Sequence, residues 1–271
     1  MRNMDDDDGY TFEAILEYPK ILLNIIRSVR VLKKRAALEI SLEGLRFISE
    51  EDKCIQVVAL LEEQLFKQFD FRAHDSVMFE ISLDHLEQCL NLFGSSSSYS
   101  TLKVVYPGRN NSFVLFIEDG GVFSECELAT FECEDFIEVE TLGDIVTRVL
   151  FNSDLLKEIW AEMDHTASIL KFSIGNEKVA LSTATMKIEV GQHSEAVVLF
   201  ESKHDQDLKY NMKVLRATQK ALNLSYKSLI RFAVDGTVAM QFLLKTDAGP
   251  DCCVEFLCKA LQFIEEDSDL L

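Results

Sequence analysis

The chain has 271 residues, of which 48% are hydrophobic and only three are proline, and its formal net charge is −19 at pH 7. This composition excludes an intrinsically disordered chain, and the length leaves room for two domains that each bury a core. The negative charge disfavours general adhesion to nucleic acid or to an anionic membrane. No apolar run approaches the roughly 20 residues that span a bilayer, and the acidic start at Asp5–Asp8 is unlike a signal peptide.

The predicted elements form two series in the same order. The first comprises a helix at Tyr18–Arg35, strands at Ala37–Ser41 and Leu45–Ser49, a helix at Leu83–Leu92, and strands at Leu102–Tyr106, Phe113–Glu118 and Val122–Leu128. The second comprises a helix at Asp154–Met163, strands at Ile169–Ile174 and Lys178–Thr183, a helix at Lys213–Leu222, and strands at Ser228–Val234, Val238–Lys245 and Cys252–Cys258. The series lie roughly 130 residues apart, whereas a solenoid repeat has only about 20–50 residues, so the pattern predicts a duplicated α+β domain.

A short acidic segment separates the two series. Residues 129–141 read ATFECEDFIEVET, with apolar side chains at Phe131, Phe136 and Ile137. We interpret this segment as an extended connector. A further hypothesis is that the connector and the sheet beside it form a docking groove, in which these three apolar residues anchor a partner peptide while the acids stay in water. A simple tether is the alternative.

The connector sets the predicted domain boundaries. We predict an N-terminal domain at residues 1–128, with an acidic, flexible start at 1–9, and a C-terminal domain at residues 142–271, with a short acidic tail at 265–271.

Basic residues are concentrated in one stretch of each series. Between Tyr18 and Leu38, and again between Leu208 and Val234, there are six basic residues and no acid. At helical spacing, one side of each stretch is apolar and the other is basic. The residues on the basic sides are Lys20, Arg27, Arg30, Lys34, Lys209, Lys213, Arg216 and Lys220. In so acidic a chain these sides favour a phosphate backbone as partner, with a solvated polar face as the alternative.

The other two helices weaken the case for a uniformly basic surface. Leu83–Leu92 carries Asp84 and Glu87, and Asp154–Met163 offers one lysine against several acids.

The sequence contains no catalytic constellation that we recognise. The five histidines have no metal-ligand spacing and no nucleophile motif beside them. The seven cysteines are scattered, without the paired spacing of a zinc site, and are expected to be reduced thiols. A metal cluster in the connector is disfavoured, because adjacent residues of a strand point to opposite faces and a two-metal site needs carboxylates that converge with histidines or further acids in a pocket. We therefore predict no catalytic residues, no metal and no cofactor.

Short stretches of the chain resemble a known family. The residues Cys89–Ser96 (CLNLFGSS) and Leu115–Val122 (LFIEDGGV), with the strand that follows, are similar to Rad-one-type subunits of the heterotrimeric DNA-damage checkpoint clamp. That family belongs to the sliding DNA clamps related to proliferating cell nuclear antigen. The likeness extends from about Gly9 to about Leu261 and implies two tandem clamp domains, with helices on an inner face and antiparallel sheets outside.

The resemblance also implies an assembly. Clamp subunits close a ring by pairing the last strand of the first domain with an edge strand of the next subunit's second domain, which would be Val122–Leu128 and Lys178–Thr183 here. The interface residues implied are Val122, Ser124, Cys126, Leu128, Lys178, Ala180 and Ser182. Two open strand edges are a liability unless another chain covers them, and head-to-tail pairing that closes makes a ring.

The family implies partners and a location as well. The ring would consist of this chain and two other clamp-fold subunits, would be loaded in the nucleus by an ATP-dependent checkpoint clamp loader, and would hold double-stranded DNA without reading its sequence. It would serve as a scaffold for repair and checkpoint proteins. The alternatives are a homotrimeric replicative clamp and a DNA 3'-5' exonuclease, for which the sequence offers no site.

Overall fold

The computed structural model describes residues 9–92, 100–133, 139–246 and 249–261. Within these ranges all strand pairings are antiparallel, in sheets of five, ten and four strands. The predicted acidic tail, and the predicted acidic start except for Gly9, lie outside the described residues.

The helices and strands follow one another in the predicted order, with additional strands between them. In the first half they are β1 Phe12–Leu16, α1 Lys20–Val29, β2 Arg35–Ser41, β3 Gly44–Glu51, β4 Ile55–Glu62, a 3-10 helix Glu63–Leu65, β5 Gln68–Phe71, β6 Val77–Ser82, α2 Leu83–Leu90, β7 Thr101–Tyr106, β8 Phe113–Asp119 and β9 Val122–Leu128, followed by β10 Thr130–Phe131. In the second half they are β11 Ile145–Asn152, α3 Ser153–Glu162, β12 Ile169–Gly175, β13 Lys178–Ser182, β14 Lys187–Gly191, β15 Val197–Ser202, β16 Gln206–Asn211, α4 Met212–Arg216, α5 Gln219–Leu224, β17 Lys227–Ala233, β18 Val238–Leu244 and β19 Cys252–Cys258.

The two halves repeat the same strand order. The first half pairs its strands as β5-β1-β7-β8-β9 and β6-β2-β3-β4, and the second as β15-β11-β17-β18-β19 and β16-β12-β13-β14. The sheet of the first half that ends in β4 joins the sheet of the second half that ends in β19. These two strands pair, with Val57 opposite Phe256. The ten-stranded sheet therefore runs through both halves.

The same topology locates the open strand edges. β9 is the counterpart of β19, and β14 is the counterpart of β4, and each lies at the end of its sheet among the described strands. Lys178–Thr183 was predicted to be the second edge, and this is wrong. Those residues form β13, which pairs with β12 on one side and β14 on the other. The sequence prediction missed β14, because a five-residue strand directly after a hairpin has too few residues for a clear alternating pattern.

The apolar pattern correctly predicted helix α1 but not the residue at which the helix ends. Its buried side includes Ile21, Ile25 and Ile26, and each such side chain is worth roughly 1.5–3 kcal/mol when fully buried. The helix was predicted to reach Arg35 but ends at Val29. Arg35 instead begins β2, opposite Ser82, since the chain must leave the helix to join the sheet.

The predicted helix Lys213–Leu222 is in fact two short helices. α4 ends at Arg216 and α5 begins at Gln219. Between them the buried hydroxyl of Thr218 donates to the carbonyl of Leu215, at 2.6 Å. A threonine hydroxyl that takes a backbone carbonyl in this way competes with the helical ladder, which accounts for the break.

Candidate nucleic-acid interface

The helices of both halves form one continuous layer. α1 packs against α2 on one side and against α5 on the other, and α3 packs against α5. The apolar sides of these helices are part of the core beneath the layer. Their polar sides therefore decide what the layer can bind.

The two arginines of α1 are ion-paired with α2. The Nε atom of Arg27 lies 2.9 Å from Oε1 of Glu87, and its Nη2 donates to Oδ1 of Asn91 at 3.1 Å. Arg30 reaches Oδ1 of Asp84 at 2.5 Å and Oε2 of Glu87 at 3.0 Å. Both arginines were predicted to contact DNA phosphates as part of a free basic face. This face is not free, because carboxylates on the neighbouring helix accept hydrogen bonds from both arginines. Phosphate contact by these two arginines stays a prediction.

The same contacts affect the charge on Arg30. The hydrogen bond that Arg30 donates to Asp84 raises the pKa of Arg30, and the charges of Glu87 and Asp84 add to this rise, whereas burial opposes it. The guanidinium therefore stays charged, but its field is largely cancelled within the α1–α2 pair. Sequence reasoning noticed Asp84 and Glu87 but could not place them opposite these arginines.

The lysines at the two ends of α1 are more exposed. Lys20, the first residue of the helix, is exposed. Lys34 lies beyond the end of α1, its side chain is 88% exposed, and its Nζ is 4.0 Å from Asp84. A pair this exposed contributes little, so both lysines remain accessible to an anion.

The second half supplies a cluster of three cations without ion pairs. Lys213 and Arg216 lie on α4 and Lys220 lies on α5, and all three are exposed. In the described part of the chain none of the three has an ion pair. They border a cavity of about 780 Å³ that opens between α4, α5 and the end of α1. This cluster is the most evident site for a phosphate backbone.

Lys209 does not belong to that cluster. It was predicted on the fourth helix but lies on β16, between the buried residues Leu208 and Tyr210. Because side chains alternate along a strand, Lys209 points to the outer face of the sheet. The spacing of four residues between Lys209 and Lys213 suggested one helix, but it joins a strand residue to a helix residue.

The predicted subunit-interface residues fall on two different kinds of strand. On β9, Val122 is exposed, Ser124 and Cys126 are half-buried, and Leu128 is buried. The side chains on the other face include Phe123, which is 75% exposed, and Glu125 and Glu127. The predicted residues Lys178, Ala180 and Ser182 lie on the inner strand β13, so their backbone is not free to pair with another chain.

The side chain of Cys126 on β9 also contacts Cys89 on α2. Burial raises the pKa of the Cys89 thiol on α2 to about 12, and a hydrogen bond with Cys126 adds to the rise. A thiol with so high a pKa is a poor nucleophile. Cys89 and Cys126 therefore fit a structural role in the packing of α2 against β9.

Only the first of the predicted peptide anchors lies within the described residues. Phe131 lies on β10, which pairs with β6, and the guanidinium of Arg35 sits 4.0 Å from its ring centre. Phe136 and Ile137 lie outside the described residues. At the far end of the connector, the backbone N–H of Glu140 donates to the side chain of Gln56 at 2.9 Å. Sequence reasoning missed the role of Arg35, which it counted among the basic residues of the first helix.

The described residues offer neither a metal cluster nor a membrane-spanning helix. Among them, no three His, Cys, Asp or Glu side chains come together in a way that could hold a metal ion. Nor is any described helix long and apolar enough to cross a membrane.

Comparison with known proteins agrees with the predicted resemblance. Residues 11–244 match the family model described as repair protein Rad1/Rec1/Rad17. The human cell cycle checkpoint protein RAD1 is 27% identical over 264 residues, which cover 94% of this chain and 93% of the relative. The DNA damage checkpoint control protein rad1 of Schizosaccharomyces pombe is 27% identical, over 87% of this chain and 82% of the relative. The DNA repair protein Rad1 of Drosophila melanogaster is 23% identical, over 90% and 92%. The chain belongs to the Rad1/Rec1/Rad17 family of repair proteins.

Proposed function

We propose that this chain is one of three different clamp-fold subunits that close head to tail into a ring around duplex DNA and act as a scaffold for the DNA-damage checkpoint and repair. The observation that carries this proposal is the pairing of β4 with β19 inside the chain. Their counterparts β14 and β9 lie at open edges of the described sheets. A neighbour at each end could therefore repeat the contact that joins the two halves.

The internal junction also suggests a register for the ring contact. The hairpins β2–β3 and β12–β13 each have a two-residue turn, which follows Ser41 in the first and Gly175 in the second. Aligning the two turns also aligns the strands that follow, β4 and β14. In this alignment Lys187 of β14 is the counterpart of Val58 of β4. Within the chain, Val58 lies opposite Glu255, whose counterpart on β9 is Glu125. In the ring, Glu125 then faces the neighbour's residue at the position of Lys187. A cation there would stabilise the pair, since opposite charges attract across strands.

The helix layer supports the DNA-binding part of the proposal. A ring built in this way turns one face of every subunit to the centre, and Lys213, Arg216 and Lys220, together with Lys20 of α1, give this layer unpaired positive charge. Cations that meet phosphates act through counterion release and read no sequence. Because a closed ring is linked to DNA topologically, a few such contacts suffice, and a net charge of −19 is then tolerable on the outside.

The remaining parts of the proposal follow from the family. The ring is loaded by an ATP-dependent checkpoint clamp loader and works in the nucleus, where it recruits repair and checkpoint proteins. The chain acts as a scaffold rather than as an enzyme. The relatives described above carry checkpoint and repair names, which favours this function over that of a homotrimeric replicative clamp.

The edge assignment is tested with single prolines on β9. Successive amides of a strand point alternately to its two sides. Of the two variants Glu125→Pro and Cys126→Pro, one therefore removes an amide that faces β8, and the other removes an amide at the open edge. We expect the edge-facing variant to fold as a monomer but to lose the trimer in native mass spectrometry with the two other subunits. Val198→Pro, on the edge strand β15, is the control and should assemble. A trimer that survives both β9 prolines would contradict the assigned edge.

The choice between heterotrimer and homotrimer is tested on the purified chain alone. A subunit of a heterotrimer should remain a monomer at micromolar concentration and assemble one to one to one when its two partners are added. A stable trimer of this chain alone would instead support the replicative clamp.

A further inference from the structure

Among the described strands, β16 has one unpaired edge, whereas both edges of its counterpart in the first half are paired. β16 pairs only with β12 among the described strands, whereas β6 pairs with β2 and also with β10. The ends of β6 and β16 align with each other. Ser82 and Asn211 are the last residues of these strands, and each side chain accepts a hydrogen bond from a backbone N–H of the helix that follows. Glu80 therefore corresponds to Lys209.

The first half shows what a strand at this position contacts. Phe131 of β10 lies opposite Glu80, on the outer face of the sheet, and packs against Arg35. Arg35 lies opposite Ser82, just as Ile169 lies opposite Asn211. Ile169 is thus the counterpart of Arg35, and it is 44% exposed.

The second half therefore surrounds an open strand position with groups that a partner could contact. Ile169 offers apolar surface, and Lys209 beside it is exposed and has no ion pair within the described ranges. Phe131 shows that an aromatic ring fits between two such positions. An aromatic residue opposite Lys209 would contact Ile169 and also meet the ammonium group through a cation–π interaction.

The described residues that follow β19 do not fill this position. By the repeat they correspond to the connector residues that follow β9 and form β10. Ala260 is buried, and Leu261 lines the cavity together with Val31, Leu32 and Val214. Neither residue pairs with β16.

We propose that the free edge of β16 binds an extended, acidic segment of a partner protein that places an aromatic residue opposite Lys209. The main chain of the segment adds one strand to the sheet, which supplies affinity, and the aromatic residue between Ile169 and Lys209 supplies selectivity. Acidic residues in the segment match Lys209, which is exposed on β16. The site lies at the opposite edge of the sheet from β14, so it stays open when β9 and β14 are covered in a ring.

The test uses the full chain and a labelled peptide, acetyl-EDATFEDE-amide, which sets the connector's Ala-Thr-Phe-Glu sequence between further acids. We expect saturable binding in fluorescence anisotropy, and binding at least about fivefold weaker when the peptide's Phe is replaced by Ala. The variants Ile169→Asp and Lys209→Glu should each weaken binding by a similar factor. Lys245→Glu makes the same charge change at an exposed lysine outside β16 and should leave binding unchanged.

The position of the peptide is read by NMR. On titration, the methyl signal of Ile169 and the backbone amides of β16 should shift together with the anisotropy change. Saturable binding without these shifts, or equal affinity for the Phe and Ala peptides, would overturn the proposal. A chain truncated after Leu261 that binds the peptide when the full chain does not would also overturn it, because the edge would then be occupied by the chain's own last residues.

Discussion

At the scale of single residues, the charge of a side chain matters less than what faces it. The periodicity of α1 correctly placed Arg27 and Arg30 on the polar side of the helix. It could not show that Glu87 of α2 lies within hydrogen-bond distance of both, because the register between two helices depends on packing that is remote in sequence. The two arginines of α1 are therefore paired, while Arg216 on α4 has no ion pair within the described ranges.

Glu87→Gln tests this neutralisation. Removing the carboxylate charge should release part of the field of Arg27 and Arg30 toward DNA. We expect the assembled ring to bind primed DNA more tightly, with a steeper salt dependence, by up to roughly 0.9 in the log–log slope for each phosphate newly contacted. The measurement is ring retention on DNA across a salt series.

Glu158→Gln is the matched control for this prediction. It removes the same charge from the exposed face of α3, where Glu158 has no ion pair in the described part of the chain. If both variants steepen the salt dependence equally, the effect comes from net charge and not from the released arginines.

A second prediction concerns a buried serine cluster beneath the helix layer. The hydroxyls of Ser153, Ser225 and Ser228 are buried, and Ser153 lies 2.7 Å from Ser225 and 2.8 Å from Ser228. These residues join the start of α3, the end of α5 and the start of β17. Ser153→Ala removes one partner from each of the other two hydroxyls, while Ser225 still donates to the carbonyl of Leu222 at 2.8 Å. The free energy of unfolding should therefore fall by about 0.5–1.5 kcal/mol, the net contribution of a typical hydrogen bond.

The buried Trp160 on α3, the only tryptophan, reports this unfolding by its fluorescence in urea. Ser182→Ala, at a half-buried position on β13, should change the unfolding free energy by no more than about 0.5 kcal/mol. A decrease of the same size in both variants would show that the cluster contributes nothing specific.

At the scale of elements, the order of the main helices and strands was predictable because each buries one regular face. Val122–Leu128 and Cys252–Cys258 were predicted with their observed bounds. The strands that were missed include β4, which pairs on both sides in the middle of the ten-stranded sheet. Its sequence, IQVVALLE, is nearly continuous in apolar residues, and such a run does not distinguish a strand from a helix. The strand β10 has two residues and no periodicity at all.

The role of Phe131 in holding β10 gives a prediction at this scale. Phe131→Ala removes the interaction with Arg35, worth about 0.5–1 kcal/mol at an exposed site. The amides of β6 that face β10 should then exchange with deuterium about two- to fivefold faster. Phe123→Ala, at an exposed residue of β9, should leave the exchange of β6 unchanged. Unaltered exchange in the Phe131 variant would mean that the main-chain pairing alone fixes β10.

At the scale of the whole molecule, the repeat explains both the stability of the chain and its open ends. The junction between β4 and β19 satisfies one edge of each half, and the same construction leaves β9 and β14 uncovered. Sequence comparison of the two halves could locate β9, since its counterpart is easily recognised. It could not locate β14, because the correct edge emerges only from the strand order of the complete sheet.

The final prediction concerns the cluster Lys213, Arg216 and Lys220 acting together in the assembled ring. Changing all three to alanine should weaken retention on primed DNA equally for all sequences, since phosphate contacts carry no sequence information. The salt slope should fall by roughly 0.9 for each phosphate that the variant no longer neutralises. The matched control replaces Lys203, Lys209 and Lys245 with alanine, which removes the same charge from exposed lysines outside the helix layer that have no ion pair in the described ranges. If the control lowers the slope as much as the cluster variant, DNA senses only the total charge of the ring. A slope that falls in the cluster variant alone would mean that the duplex rests on the helices of the second half.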